Sequence, residues 1–493
     1  MATDTTAAAR ASVGLRSERG PILLSLMLST SLVALDSTII ATAVLTIVGD
    51  LGGFSQFPWL FSAYLLAQAV SVPIYGKLSD VFGRKPIMLL GIALFAIGSL
   101  LCGLAWSMPA LIVFRAIQGL GAGAVQPMSL TIAGDIYTVA ERAKVQGYIA
   151  SVWGMSAVLG PTLGGVFSEY LSWRWIFLVN LPLCAIAAWM LHRKFTEKTT
   201  AARRRIDYPG AILLTGGAAL MILGLLEGGQ SWEWLSPMGI GIFVVGALLL
   251  VGFVLVERRV AEPILPLHML TRRVLVASSL VSLSVGAILM GLTSYVPTFV
   301  QGVLGTGALV AGFALAVLTI GWPIAASQAG RLYLRVGFRT TALIGSALAL
   351  VGTALLLLLS DGSPVWQVGA TCFVIGSGMG LIATPTLIAA QTSVDWTERG
   401  VVTSTNMFAR SIGSAVGVAV FGALVNSRVG DTAEPDPGDL SEAIHLVFLG
   451  LFGIAVLLTV SSALMPKAEK ADEAEEAEEA EEAEEADKAD SAA

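Results

Sequence analysis

The sequence predicts an all-α polytopic membrane protein: fourteen transmembrane helices, arranged as two six-helix bundles plus two inserted helices. Three observations lead there. Of 493 residues, 55% are hydrophobic and 13% charged, with a mean hydropathy of +0.79; a soluble domain carries about 25% charged residues. Several long stretches hold no charge at all, and each can supply the ~20 residues that cross a ~30 Å hydrocarbon core. Lys and Arg concentrate in alternate connections, which is the topogenic signature of cytoplasmic loops. The 53 glycines agree with this class, because small residues let membrane helices approach closely.

Met1 to Gly20 is a polar, cytoplasmic N-terminal segment with Arg10, Arg16 and Arg19. The first apolar run is too long for a signal peptide and lacks a small-residue cleavage site, so it reads as a first span, 21–45. Spans two to six follow at 57–76, 87–106, 109–134, 145–168 and 176–192, completing an N-terminal bundle over 21–192. Residues 193–273 hold cytoplasmic linkers and two inserted spans, 209–228 and 236–256. The C-terminal bundle, 274–464, contains spans at 274–298, 306–328, 340–360, 364–390, 400–425 and 441–464. With the N-terminus inside, all but four of the 29 Lys and Arg are cytoplasmic; Arg174 and Arg428 lie outside, and Arg115 and Arg410 lie within spans. One missed span would invert every later loop, so this asymmetry supports fourteen spans with both termini cytoplasmic. The tail, 465–493, repeats Ala-Glu-Glu and holds 3 Lys against 13 Asp and Glu, so the acidity belongs to the tail and the membrane body is net basic. A like-charge run of this kind repels itself and is expected to be disordered.

An internal repeat underlies the two halves. Gly76-Lys-Leu-Ser-Asp-Val-Phe-Gly83 recurs as Gly330-Arg-Leu-Tyr-Leu-Arg-Val-Gly337, and Gly119, Gly121 and Gly123 recur as Gly376, Gly378 and Gly380 at nearly the same separation. Repeated halves around a midplane site are a common transporter design.

The stretch from Gly76 to Pro86 joins spans two and three on the cytoplasmic side. Its glycines permit a tight turn, and Asp80, Arg84 and Lys85 can make charge-assisted bonds to helix ends. Here the sequence resembles the major facilitator superfamily, whose signature loop it matches at Gly76, Leu78, Asp80, Gly83, Arg84 and Lys85. It departs at Val81, where the family usually has arginine, and the second copy has Leu334 in place of the acid. The resemblance implies the major facilitator fold and a gate that locks the outward-open state. A loop that is only topogenic would carry the same basic residues.

In span five, Gly154, Gly160, Pro161, Gly164 and Gly165 form a motif in which Pro161 kinks the helix and Gly160 and Gly164 make a small-xxx-small face. This motif resembles that of the proton-driven exporters of the superfamily. Gly413 and Gly417 give span thirteen a second close-packing face. Fourteen spans, this motif and Leu35-Asp-Ser-Thr-Ile-Ile40 are similar to the drug:proton antiporter-2 family of multidrug and quaternary-ammonium exporters, over residues ~20–465. That family often ends span one with a proline; here the position is Leu45.

Asp36 stands alone in an apolar span, and a carboxylate at that depth costs several kcal/mol on most estimates. It lies roughly 22 Å from the inner surface at 1.5 Å per residue, and Arg115 in span four lies at ~21 Å. The two charges share a depth. The resemblance implies that spans one and four line the central cavity of the N-terminal half and supply a coupling acid and its arginine. Asp36 is therefore expected to take and release the coupling proton, with Arg115 holding or binding it; a static buried ion pair would show the same spacing. Arg410 is roughly 15 Å deep, and either faces the cavity or bonds backbone carbonyls. Trp59, Tyr64, Trp153 and Tyr295 could wall a cavity for a lipophilic cation or serve as interface and packing residues. Glu227 and Glu233 flank the outer end of span seven and are expected to be solvated.

Other functions find little support. Cys102, Cys184 and Cys372 lie in apolar runs without metal spacing, so no disulfide, metal or cofactor is expected. Gly119-x-Gly-x-Gly123 has no preceding strand and is no dinucleotide loop. The Arg203–Arg205 run reads as a membrane anchor, so no nucleic-acid partner is expected. No nucleophile–base set suggests an enzyme. The sequence points to a multi-pass exporter of the inner or plasma membrane, acting as a monomer, that expels amphipathic or cationic compounds in exchange for protons. A dedicated exporter of a metabolite, antibiotic or lipid, or a non-transporting receptor with the same body, remain the alternatives.

Overall fold

The computed structural model describes residues 13–40, 43–52, 56, 59–197, 207–229, 231–260, 263–265, 271–429 and 437–467. The Arg203–Arg205 run and the acidic tail from 468 onward lie outside the described residues. Among the described residues thirteen stretches are long and apolar enough to cross a membrane. One of them, Val310–Leu356, is two helices broken at Gly337, whose φ of +81° only glycine adopts freely. Fourteen spanning helices result: α1 Gly20–Ile39, α2 Trp59–Phe82, α3 Arg84–Gly103, α4 Met108–Ile136, α5 Val139–Val166, α6 Asn180–Lys194, α7 Tyr208–Glu227, α8 Pro237–Glu257, α9 Arg273–Thr298, α10 Ala308–Val336, α11 Phe338–Leu356, α12 Val365–Thr392, α13 Arg399–Val429 and α14 Pro437–Leu464. The protein is a multi-pass, all-helical membrane protein. The Lys- and Arg-rich connections share one end, termed here the basic end.

Helix starts follow local chemistry. Ser107 caps α4 by accepting from the Ala110 N–H, Asp207 caps α7 through Gly210, and Ser236 caps α8 through Gly239. Span one differs from expectation. The helix stops at Ile39, and a separate short helix, Val44–Leu51, follows. A break thus occurs without the family's proline. Asp50 on that short helix accepts hydrogen bonds from Arg174 (2.8 Å) and the Trp173 indole (3.0 Å), which hold its carboxyl below the usual range. Glu227 also differs. It is buried, not solvated, and accepts a 2.7 Å bond from the Ser231 hydroxyl.

The two halves have separate cores. One cluster runs from Val281 through Phe421 to Leu458 in the C-terminal half, and another joins Leu23, Phe95, Met128 and Leu191 in the N-terminal half. The halves meet along two pseudosymmetric seams, α2 against α13 and α5 against α10. Inserted helix α7 leans on the first seam, where Ala218 and Ile222 pack with Ala69, Val70 and Ala415. Helix α8 lies outside α7, with Val244, Leu248, Val251 and Leu255 exposed as a lipid-facing surface requires.

Close helix approach is set by small residues. A Cβ on Gly160 of α5 would strike Thr38 of α1, and one on Gly413 of α13 would strike the Leu283 carbonyl of α9. These two contacts join equivalent helix pairs of the two halves, first to fifth in each. Gly165 has open space around it. Gly413→Val is therefore expected to destabilise the fold by about 1–3 kcal/mol through overpacking, seen as a lowered thermal midpoint in detergent, with Gly165→Val close to the parent.

Candidate functional site: a buried ion pair, a cavity and a latch

Asp36 and Arg115 are in direct contact. The guanidinium donates to the carboxylate at 2.5 Å, and both residues are buried. Arg115 also donates to the Gln118 side-chain oxygen (2.7 Å) and the Leu60 carbonyl (3.1 Å). Gln118 donates to the other Asp36 oxygen at 2.8 Å and to the Ser99 hydroxyl at 2.8 Å. Four helices, α1 to α4, thus converge on one charge pair. Tyr64 is not a cavity wall. Its ring centre lies 4.1 Å from the Arg115 guanidinium carbon, and among the described residues its buried hydroxyl has no hydrogen-bond partner. Such a pair is held in low dielectric only when the remaining donors and acceptors are satisfied, which Gln118 and Leu60 accomplish. Gln118 was not singled out in the sequence. Its signal was present, since a glutamine three residues after a buried arginine shares its helix face.

A cavity of ≈ 290 Å³ lies between the halves, lined among others by Thr30, Gln126, Trp153, Trp322, Thr384 and Arg410. Asp36, Arg115 and Tyr64 do not line it. Thr30 precedes Asp36 by six residues on α1, roughly 9 Å along the axis, and Gln126 follows Arg115 by eleven on α4, roughly 16 Å. The ion pair and the cavity are therefore stacked along the same two helices, with the cavity nearer the basic end. Of the aromatic residues considered from sequence, only Trp153 lines the cavity. Tyr295 meets Phe421 edge-on in the C-terminal core, at a ring-centroid distance of 6.3 Å. Trp322, which sequence reasoning missed, is the second indole of the wall.

The span-five glycines divide between two partners. Gly154 faces the Thr319 carbonyl of α10 across the second seam, while Gly160 faces Thr38 of α1, whose hydroxyl donates to the Ser156 carbonyl at 3.0 Å. Gly164 is buried, Gly165 is in open space, and the Pro161 side chain lies outside the described residues. Helix α5 runs unbroken through 161 and widens into a π turn at Phe167–Leu171.

The loop from Gly76 to Lys85 closes the basic end. Asp80 accepts from the backbone N–H groups of Gly400 (3.0 Å) and Val401 (2.8 Å) at the start of α13 in the other half. A helix N-terminus presents unpaired donors and positive potential, so a carboxylate suits it. Arg84 is fully buried and pairs with Asp80 (2.8 Å) and Asp135 (3.1 Å). It also donates to the Trp396 carbonyl at 2.6 Å and lies over the Trp396 ring. Gly76 leaves room for Ser404, and Gly83 turns the chain at φ +96°. Lys85 donates to the His192 and Phe195 carbonyls within its own half. The second copy latches differently. Where the first has Ser79 and Asp80 it has Tyr333 and Leu334, and the Tyr333 hydroxyl donates to the Val139 carbonyl at the start of α5.

The residues 26–418 match the family model described as Major Facilitator Superfamily. The chain belongs to that superfamily. It is 37% identical over 422 residues to "Multidrug resistance protein 3" of Bacillus subtilis (strain 168), covering 85% of this chain and 81% of that one. It is 35% identical to "Multidrug transporter protein MdtP" of the same organism, covering 85% and 77%. Among solved structures, the human organic anion transporter MFSD10 (TETRAN) superposes with a TM-score of 0.63 at 16% identity, covering 90% of this chain and 99% of that one; this likeness shows the fold alone.

Replacing Asp80 with Asn removes the charge from the latch while keeping its shape. Charge-assisted bonds of this kind contribute about 1.5–3 kcal/mol, so Asp80→Asn is expected to raise the population open at the basic end roughly ten-fold or more. Distances between spin labels on the α2–α3 and α12–α13 connections, measured by double electron–electron resonance, check this; an unchanged distribution would show that Asp80 does not hold the latch.

Proposed function

We propose that this chain exports amphipathic, drug-like compounds in exchange for protons, by alternating access, as a fourteen-span member of the drug:proton antiporter-2 type. The observation that carries the coupling is a carboxylate–guanidinium pair sealed inside the membrane, on the same helices as a cavity it does not touch. An ionisable pair in that position is a functional site by default, and relaying protons is one of the roles such groups serve. The relatives named as multidrug proteins support the substrate side. The protein sits in the inner or plasma membrane with its basic end and both termini in the cytoplasm, and one chain suffices, since both rocking halves lie within it.

In the state closed at the basic end, Asp36 is held by Arg115 and Gln118. A proton arriving from outside neutralises Asp36. Arg115 then keeps only Gln118, the Leu60 carbonyl and the Tyr64 ring, and the hold of α4 on α1 weakens. Thr38, half a turn from Asp36, ties α1 to α5 at Ser156, so movement of α1 passes to the α5–α10 seam. The latch at Asp80 opens, substrate enters the cavity from the cytoplasm, and Asp36 releases its proton there. Deprotonated Asp36 recaptures Arg115 and the basic end closes behind the substrate.

In energised everted vesicles, addition of a transported compound is expected to dissipate the lumenal acidification with the parent and not with Asp36→Asn, when protein levels match. Equal responses from both, with transport demonstrated, would remove Asp36 from the coupling role while leaving the fold intact.

A further inference from the structure

We infer that the exported compounds include amphipathic organic anions, bound by their acidic group to Arg410 with an aromatic body between Trp153 and Trp322. This deepens the export reading and rests on the same cavity. Arg410 sits on α13, where its carbonyl packs directly over Gly286 of α9. That close approach fixes the α13 backbone against α9 within the C-terminal half, and the side chain lines the cavity. Its guanidinium carbon lies 5.7 Å from the Trp322 ring centre. Among the described residues no carboxylate pairs with it, and its buried Nε has no hydrogen-bond partner.

The two most deeply buried arginines, Arg84 and Arg115, are treated differently. Arg115 has Asp36, and Arg84 has Asp80 and Asp135. Among the described residues the cavity lining holds no acid: its polar members are Thr30, Gln126, Gln146, Thr319, Thr384 and Arg410. Asp36, which could attract a cation, is sealed away and already paired. A cation entering this space meets one uncompensated positive charge and no negative one, and such a mismatch selects against it. A carboxylate, sulfonate or phosphate meets a planar fork of donors suited to bidentate binding. The glutamines and threonines add neutral donors, and the two indoles accept a flat apolar body. An intramembrane charge left without a protein partner is a binding-site hypothesis with its complement missing. Export of an anion against entry of a proton also moves positive charge inward on both legs, so the membrane potential would assist each cycle.

The test uses a ring system of opposite charge. Binding of 2-naphthalenesulfonate and of trimethyl(2-naphthyl)ammonium to the full-length protein in nanodiscs is measured by calorimetry. The parent is expected to bind the sulfonate at least ten-fold tighter. Arg410→Gln should abolish that preference, Arg410→Lys should keep its sign, and Arg410→Glu should reverse it. A parent that prefers the ammonium, or an Arg410→Gln variant that keeps the sulfonate affinity, would overturn the inference. Should Arg410→Gln not fold, the parent comparison decides alone. No proton movement enters this measurement, so a sulfonate preference that persists in Asp36→Asn, whose vesicles lack exchange, would leave this inference standing, while a parent that exchanges protons yet shows no sulfonate preference would remove it and leave antiport in place.

Discussion

A charged pair that cannot reach water constrains everything around it. Asp36 and Arg115 are both buried, and their contact at 2.5 Å is closed by Gln118, the Leu60 carbonyl and the Tyr64 ring. Removing one partner from such a pair leaves an uncompensated charge and costs about 3–5 kcal/mol. Neutralising the carboxylate with a proton is a milder form of the same change, and it is reversible. The helices that supply the pair and its closure, α1 to α4, are therefore the ones whose packing must respond to protonation.

The rest of the molecule is arranged so that a response can travel. Small residues let α5 ride close on α1 and α13 on α9, so each half moves as packed units across the seams. At the basic end the carboxylate of Asp80 holds the first backbone donors of α13, and on the other seam a tyrosine hydroxyl holds the first carbonyl of α5. Both latches grip helix starts across the halves, and neither touches the ion pair. Distance between trigger and latch is expected in a two-state device, in which packed elements switch between discrete arrangements.

Much of this was legible in the sequence. Charge asymmetry among connections gave the fourteen crossings, because topology depends on the sum of many Lys and Arg. Helix rise placed Asp36 and Arg115 at one depth, and they are in contact. What failed depended on azimuth. Tyr64 was a candidate for the cavity and instead covers Arg115, since depth along a helix does not report the face. Trp322 and Gln118 were overlooked for the same reason, each being one polar or aromatic position in an apolar run. The end of span one was placed at 45 and falls at Ile39, because apolar residues continue past the break and composition alone carries no stop signal there. Arg410 was open between cavity and backbone, and it lines the cavity.

The most direct test of the central claim is an infrared titration of the Asp36 carboxyl in two trapped states. One protein is cross-linked shut across the α2–α3 and α12–α13 connections, the other is free to open. The protonated-carboxyl band that vanishes in Asp36→Asn is followed against pH in both. Coupling between the ion pair and the latch requires that the midpoint differ between the shut and free proteins. Superimposable titrations would contradict it, and would make Asp36–Arg115 a static strut.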